Sequence, residues 1–153
     1  MPTADRPHMP GYGIAGPDAG LLPWSWAEER LRGAPRYWVV TVAPDGAPHA
    51  MPVWAVWLDE ALWFSTGGRS RKARNLRSEP RCVVHTDDPL VVNGVAEVVT
   101  DESAIARMSE AYAAKYPDVP PDPAANPIVR VRPVTVIGLI EAEFATSPTR
   151  WTF

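Results

Sequence analysis

The chain has 153 residues, 46% of them hydrophobic, and its 15 Lys and Arg against 18 Asp and Glu give a formal net charge of −3. That length holds one ordinary domain with a sizeable core, and the acidic balance excludes a general nucleic-acid binder. One cysteine excludes an internal disulfide framework, and no apolar run approaches the ~20 residues of a membrane helix or forms a leader, so a cytoplasmic protein without membrane contact is expected.

Residues 1–20 mix four prolines with four glycines and carry few large apolar side chains. Such a segment cannot bury enough surface to fold alone, and we read it as a flexible arm, ordered only where it docks on a domain spanning 21–153. Gly11-Tyr-Gly-Ile-Ala-Gly16 spells a dinucleotide-binding loop. No strand precedes it, however, and Pro17 stands where a helix would open, so the match is accidental. A short helix fits residues 25–32, where Ser25 and Glu28 have capping-box spacing, Trp24 sits before the cap, and Gly33 with Pro35 ends the element.

Strand periodicity begins at Tyr37 and runs through Val42. A Pro44-Asp45-Gly46 turn leads into a second strand from about His49 to Leu58, and Asp59-Glu60 turns the chain into Leu62–Thr66. A short helix over 70–77 follows, then strands at Arg81–Thr86 and Leu90–Thr100. Val53-Trp-Ala-Val-Trp57 is apolar on both faces, so one face must fill a barrel while the other meets a helix, a partner subunit or a flat ligand. Asp101 is placed to cap a helix with Ile105, Met108, Ala111 or Tyr112, and Tyr116 on one stripe. Five prolines between 117 and 127 then break regular structure, and a last strand runs from about Ile128 to Phe144. This order suits a mainly β fold, a small antiparallel barrel with peripheral helices.

The chemistry concentrates in Trp63-Phe-Ser-Thr-Gly-Gly-Arg-Ser-Arg-Lys72. Ser65 and Thr66 end a strand, Gly67 and Gly68 permit a tight turn, and Ser70 can cap a helix that opens on Arg71 and Lys72. Free N–H groups at that helix start attract anions, Arg adds a planar fork, and Lys adds a point charge. A phosphate grip and a plain solvated basic turn both fit these residues. By contrast, His8, His49, His85 and Cys82 are too scattered for a metal site. Cys82 reads as a small buried hydrophobe, and Asp87-Asp88 precedes a proline in a solvated turn.

Together these residues resemble the pyridoxamine 5′-phosphate oxidase-like split β-barrel proteins, which bind FMN or the deazaflavin coenzyme F420. The likeness spans most of 24–153. It is carried by Trp38-Val-Val-Thr41, Pro44-Asp-Gly46, Pro48-His-Ala-Met-Pro-Val-Trp54, Phe64-Ser-Thr66, Ser70-Arg-Lys72 with Asn75-Leu76, Gly94 with Ala96-Glu97, and Arg150-Trp151. The resemblance implies a homodimer with FMN in a cleft between subunits, its phosphate held by Ser65, Thr66, Ser70, Arg71 and Lys72. It lays His49, Met51, Pro52, Val53 and Trp54 along the isoalloxazine ring. Trp54 and Trp57 are ring contacts on this reading and core or interface aromatics otherwise. Trp151 is a lid over the cofactor, from the same or the other subunit, or a frayed tail. True pyridoxamine phosphate oxidases carry an arginine where His49 stands and further basic and histidine residues near the C-terminus, which are missing here. The resemblance therefore implies the actinobacterial flavin and deazaflavin oxidoreductase branch, with hydride transfer to a small, largely apolar substrate. FMN is the expected cofactor and F420 the alternative, as is a flavin or haem carrier without turnover; no catalytic side chain is nominated.

Overall fold

The computed structural model describes residues 1–17 and 19–153. Nine strands are present among them: β1 Thr3–Asp5, β2 Tyr37–Val42, β3 Pro48–Val53, β4 Ala55–Leu58, β5 Ala61–Ser65, β6 Arg81–His85, β7 Leu90–Val99, β8 Ile128–Gly138 and β9 Thr149–Thr152. Three α-helices accompany them, α1 Trp24–Gly33, α2 Arg71–Ser78 and α3 Glu102–Lys115.

All pairings are antiparallel, in the order β1-β9-β8-β7-β6-β2-β3, and β8 also holds β5, which holds β4. The sheet branches on β8, whose Ile128–Val131 half pairs with β5 and whose Thr135–Gly138 half pairs with β9. Its two free ends, β3 and β4, are joined through the single residue Trp54. The barrel thus closes through the covalent chain and not through a ladder, which makes it a split antiparallel β-barrel. The strand expected over 49–58 is two strands, because its halves pair with different partners on either side of residue 54.

The two-sided apolar pattern of β4 and β5 follows from their position. Ala55, Trp57, Leu62 and Phe64 fill the barrel, whereas Val56, Ala61 and Trp63 join Met108 and Tyr112 of α3 in a second cluster. A helix, not a ligand, covers the outer face of this hairpin. Its turn carries Asp59 and Glu60 at φ of +51° and +55°, the left-handed pair that a two-residue hairpin turn demands. The α3 cap forms as expected, with the Asp101 carboxylate accepting from Ala104 N–H at 2.8 Å.

Four expectations are corrected. Helix α1 starts after Pro23, so Ser25 lies inside it and no side-chain cap forms; Glu28 instead accepts from Trp57 Nε1 at 3.2 Å and from Arg32 at 3.0 Å. The last long strand stops at Gly138, after which the Ser147 hydroxyl takes up Ile140 N–H at 2.8 Å and turns the chain. The segment around Arg150 is a strand, and the N-terminal arm supplies β1 beside it. There, Arg150 meets Asp5 at 2.8 Å and Arg6 donates to the carbonyls of Thr146, Pro148 and Ala19. Finally, neither Gly67 nor Gly68 has a positive φ, and a Cβ on either meets nothing closer than 3.7 Å. The turn before α2 does not require them.

Candidate functional site

Strand β5 delivers Ser65 to the barrel rim, and Thr66 follows, buried, with its N–H donating to the Pro127 carbonyl at 3.3 Å. Ser70 then caps α2: its hydroxyl accepts from Ala73 N–H at 3.2 Å and stands 3.1 Å from Thr66 Oγ1. Arg77, about two turns on, fastens the same turn by donating to the Gly68 carbonyl. The first turn of α2 contains no acidic residue. Arg69, Arg71, Lys72 and Arg74 form no ion pair among the described residues. Burial alone pushes the Lys72 ammonium below its ordinary pKa, since no carboxylate compensates it. This is a preformed demand for an anion.

The turn opens into a cleft of about 490 Å³ lined by Arg36, Pro52, Val53, Trp54, Ser65, Thr66, Gly67, Lys72 and Tyr112. Six residues expected at the site from sequence, Pro52, Val53, Trp54, Ser65, Thr66 and Lys72, therefore share one wall-to-wall space, and Ser70 touches it through Thr66. Two cations line it, Lys72, which has no carboxylate partner among the described residues, and Arg36, which pairs with Asp87 at 3.0 Å; no lining residue is acidic. Trp54 is 48% exposed and Tyr112 only 5%, so the indole is the accessible aromatic surface. Pro52 sits opposite Trp38 on the edge strand β3, where its missing N–H breaks no ladder on the free side.

His49 and Arg71 lie together in a neighbouring hollow of about 400 Å³, bounded by the Pro44-Asp45 turn. Met51 is exposed on β3 between the two hollows in sequence. Trp151 is elsewhere. It is fully buried in the barrel, 5.7 Å from the Trp24 ring and 6.3 Å from that of Trp26, so it is neither a lid nor a frayed tail. Gly138 makes that placement possible, because a Cβ there would come within 2.7 Å of Trp26 and 3.2 Å of Trp151.

Sequence reasoning missed Arg36 and Tyr112. Arg36 was visible as a lone cation between a helix stop and a strand, but nothing in the sequence brings it to Trp54. Tyr112 lies on the apolar stripe of α3, where a core residue and a cleft residue look the same.

A family model for pyridoxamine 5′-phosphate oxidase matches residues 26–139. The chain belongs to this family. Among solved structures, an F420 reductase is 30% identical over 71% of this chain and 94% of its own, with a TM-score of 0.57. A conserved hypothetical protein from Mycobacterium tuberculosis is 21% identical, covers 88% of each chain and has a TM-score of 0.66. An FAD-binding protein from Mesorhizobium loti, 19% identical over 86% of this chain and 96% of its own, has a TM-score of 0.61. The two latter likenesses concern the fold. No curated protein matches the chain in sequence. Within this oxidase family the fold is the split barrel described above, and no helix among the described residues is long and apolar enough to cross a membrane.

Proposed function

We propose that the protein is a cytoplasmic flavin-dependent oxidoreductase that holds FMN in the cleft between β3, β5 and α2. One observation carries this reading: Lys72 and its neighbouring arginines are cations without carboxylate partners among the described residues, at a capped helix start that opens into an aromatic-walled space. Phosphate is the anion that suits it. Lys72 supplies charge in the cleft and Arg71 adds charge from the hollow it shares with His49, α2 supplies N–H groups, and of the two hydroxyls of Thr66 and Ser70, 3.1 Å apart, one proton joins the pair and the other remains to be donated. Ser65 and Thr66 close the rim. The β3 edge from His49 to Trp54 then forms the side along which a flat ring lies. The flavin, when bound, supplies the hydride chemistry, and the chain binds, orients and shields it.

A second reading has its own support. The 30% identity to an F420 reductase over 71% of the chain makes F420 the alternative cofactor in the same cleft. The phosphate grip serves both.

A homodimer belongs to the proposal. The outer sheet face carries Val42, Val95 and Val134 at 37%, 39% and 50% exposure around a hollow of about 520 Å³. A second copy of the chain would cover that apolar surface. Titrating the purified protein with FMN and with F420 in parallel, by fluorescence, tests the cofactor assignment. Micromolar or tighter binding of FMN alone supports the first reading and of F420 alone the second, and binding of neither overturns both. Solution mass by light scattering tests the dimer.

A further inference from the structure

The wall of the cleft that carries Trp54 is fastened from outside the sheet. Ala55, the first residue of β4, donates its N–H to the Tyr116 hydroxyl at 3.3 Å. Its carbonyl lies 3.1 Å from Lys115 Nζ and 3.1 Å from Tyr116 Oη. Tyr116 Oη is also 3.0 Å from the Pro35 carbonyl, and Lys115 Nζ is 2.7 Å from Tyr37 Oη.

Donor counting orders this network. Lysine can only donate, and a phenol has one proton. Tyr37 gives its proton to the Leu31 carbonyl, so Lys115 donates to Tyr37 and to Ala55. Tyr116 accepts from the Ala55 N–H, and its single proton is shared between the Pro35 carbonyl at 3.0 Å and the Ala55 carbonyl at 3.1 Å. The end of α3 therefore ties α1, β2 and β4 together at the peptides next to two cleft residues, because Ala55 follows Trp54 and Pro35 precedes Arg36. The Trp54 ring also rests on the Tyr116 ring at 6.2 Å.

Neither Lys115 nor Tyr116 lines the cleft. A merely space-filling role at residue 115 would be met by an apolar side chain, yet a half-buried ammonium stands there without a carboxylate partner among the described residues. We propose that Lys115 and Tyr116 are positioning residues of the cleft, a latch that sets Trp54 and Arg36 at its mouth without touching the ligand. The ligand part rests on the cofactor reading above; the latch itself rests on the hydrogen bonds of Ala55 and Pro35.

Three variants test it: Tyr116→Phe keeps the ring and loses the hydroxyl, Lys115→Met keeps the stem and loses the donor, and Lys115→Arg restores donors. In the ligand-free protein, Tyr116→Phe should speed hydrogen exchange of the Ala55 amide at least tenfold while exchange in the β7–β8 ladder stays unchanged. Acrylamide quenching of Trp54, taken as the difference from Trp54→Phe in each background, should rise at least twofold in Tyr116→Phe and Lys115→Met. Both variants should weaken FMN or F420, whichever the parent binds, at least fivefold, and Lys115→Arg should return the affinity to within twofold of the parent. Unchanged Ala55 exchange and unchanged Trp54 quenching overturn the latch, as does faster exchange spread evenly over the β7–β8 ladder, which marks general destabilisation. A parent that binds neither cofactor overturns the functional reading, while the ligand-free exchange and quenching still decide the latch.

Discussion

Thr66 Oγ1 and Ser70 Oγ lie 3.1 Å apart across the turn that joins β5 to α2, and Ser70 at the same time caps the helix through Ala73 N–H. One hydroxyl thus serves the fold and borders the site. Ser70→Ala should lower stability in urea by about 1 kcal/mol in the absence of ligand, and Ser70→Gly by only a few tenths. An unchanged urea midpoint in Ser70→Ala would show that the hydroxyl does not stabilise the helix start.

Arg71 and Lys72 support no ion pair among the described residues, so removing them breaks none. The double variant Arg71→Ala with Lys72→Ala should unfold at the parent's urea midpoint or slightly above it. It should lose cofactor affinity by a factor of a hundred or more, since each charge-assisted bond contributes about 1.5 to 3 kcal/mol. Parent-like FMN and F420 affinity in the double variant refutes the phosphate grip.

Lys115 gives the protein an alkaline signature. Burial pushes its ammonium from 10.5 down to about 8, so from about pH 8 upward the unfolded chain binds more protons than the folded one and stability rises with pH. The groups facing it, Tyr37 and Tyr116, and Tyr112 beside Tyr116, are raised by burial and act in the opposite sense above about pH 10. Between about pH 8 and 9.5, the stability of the parent should rise relative to that of Lys115→Met. A constant difference would contradict the depressed pKa.

Cys82 is buried and its thiol is pushed up to about 12 by that burial. A thiol in this state is a poor nucleophile at neutral pH. A thiol-specific disulfide reagent should leave the native protein unmodified over the time in which it fully labels the urea-unfolded chain. Fast native labelling at pH 7.5 would place Cys82 at the surface.

Glu60 holds a left-handed conformation that glycine adopts without penalty. Glu60→Gly should raise stability by about 1 kcal/mol, because Asp-Gly is a favoured pair for this two-residue hairpin turn. Any loss in the urea midpoint would mean that the Glu60 side chain contributes more than its backbone costs.

The elements with strong local signals were legible in the sequence. Ser70 and Asp101 announced helix starts, and the double-sided apolar run around Trp54 announced a barrel wall with something outside it. Its break at residue 54 was not legible, because the apolar run continues unbroken through Val53-Trp54-Ala55 and only the different pairing partners of its two halves divide it. The site was legible where its residues are contiguous, from Ser65 to Lys72, and opaque where it is assembled at a distance. Arg36 reaches the cleft through a loop tied by Tyr116, and Trp151 leaves it because Gly138 opens a slot in the core.

The barrel edge formed by Asp5 and Arg150 joins residues 145 positions apart. During synthesis, β1 therefore has no partner strand until β9 has been made. Most of the sheet, from β2 to β8, can form its ladders in the meantime, so β1 is among the last of these strands to find its place. A fusion or tag that delays the arm would be felt at that edge and around the Trp24, Trp26 and Trp151 rings beneath it, well before it was felt at the turn between β5 and α2.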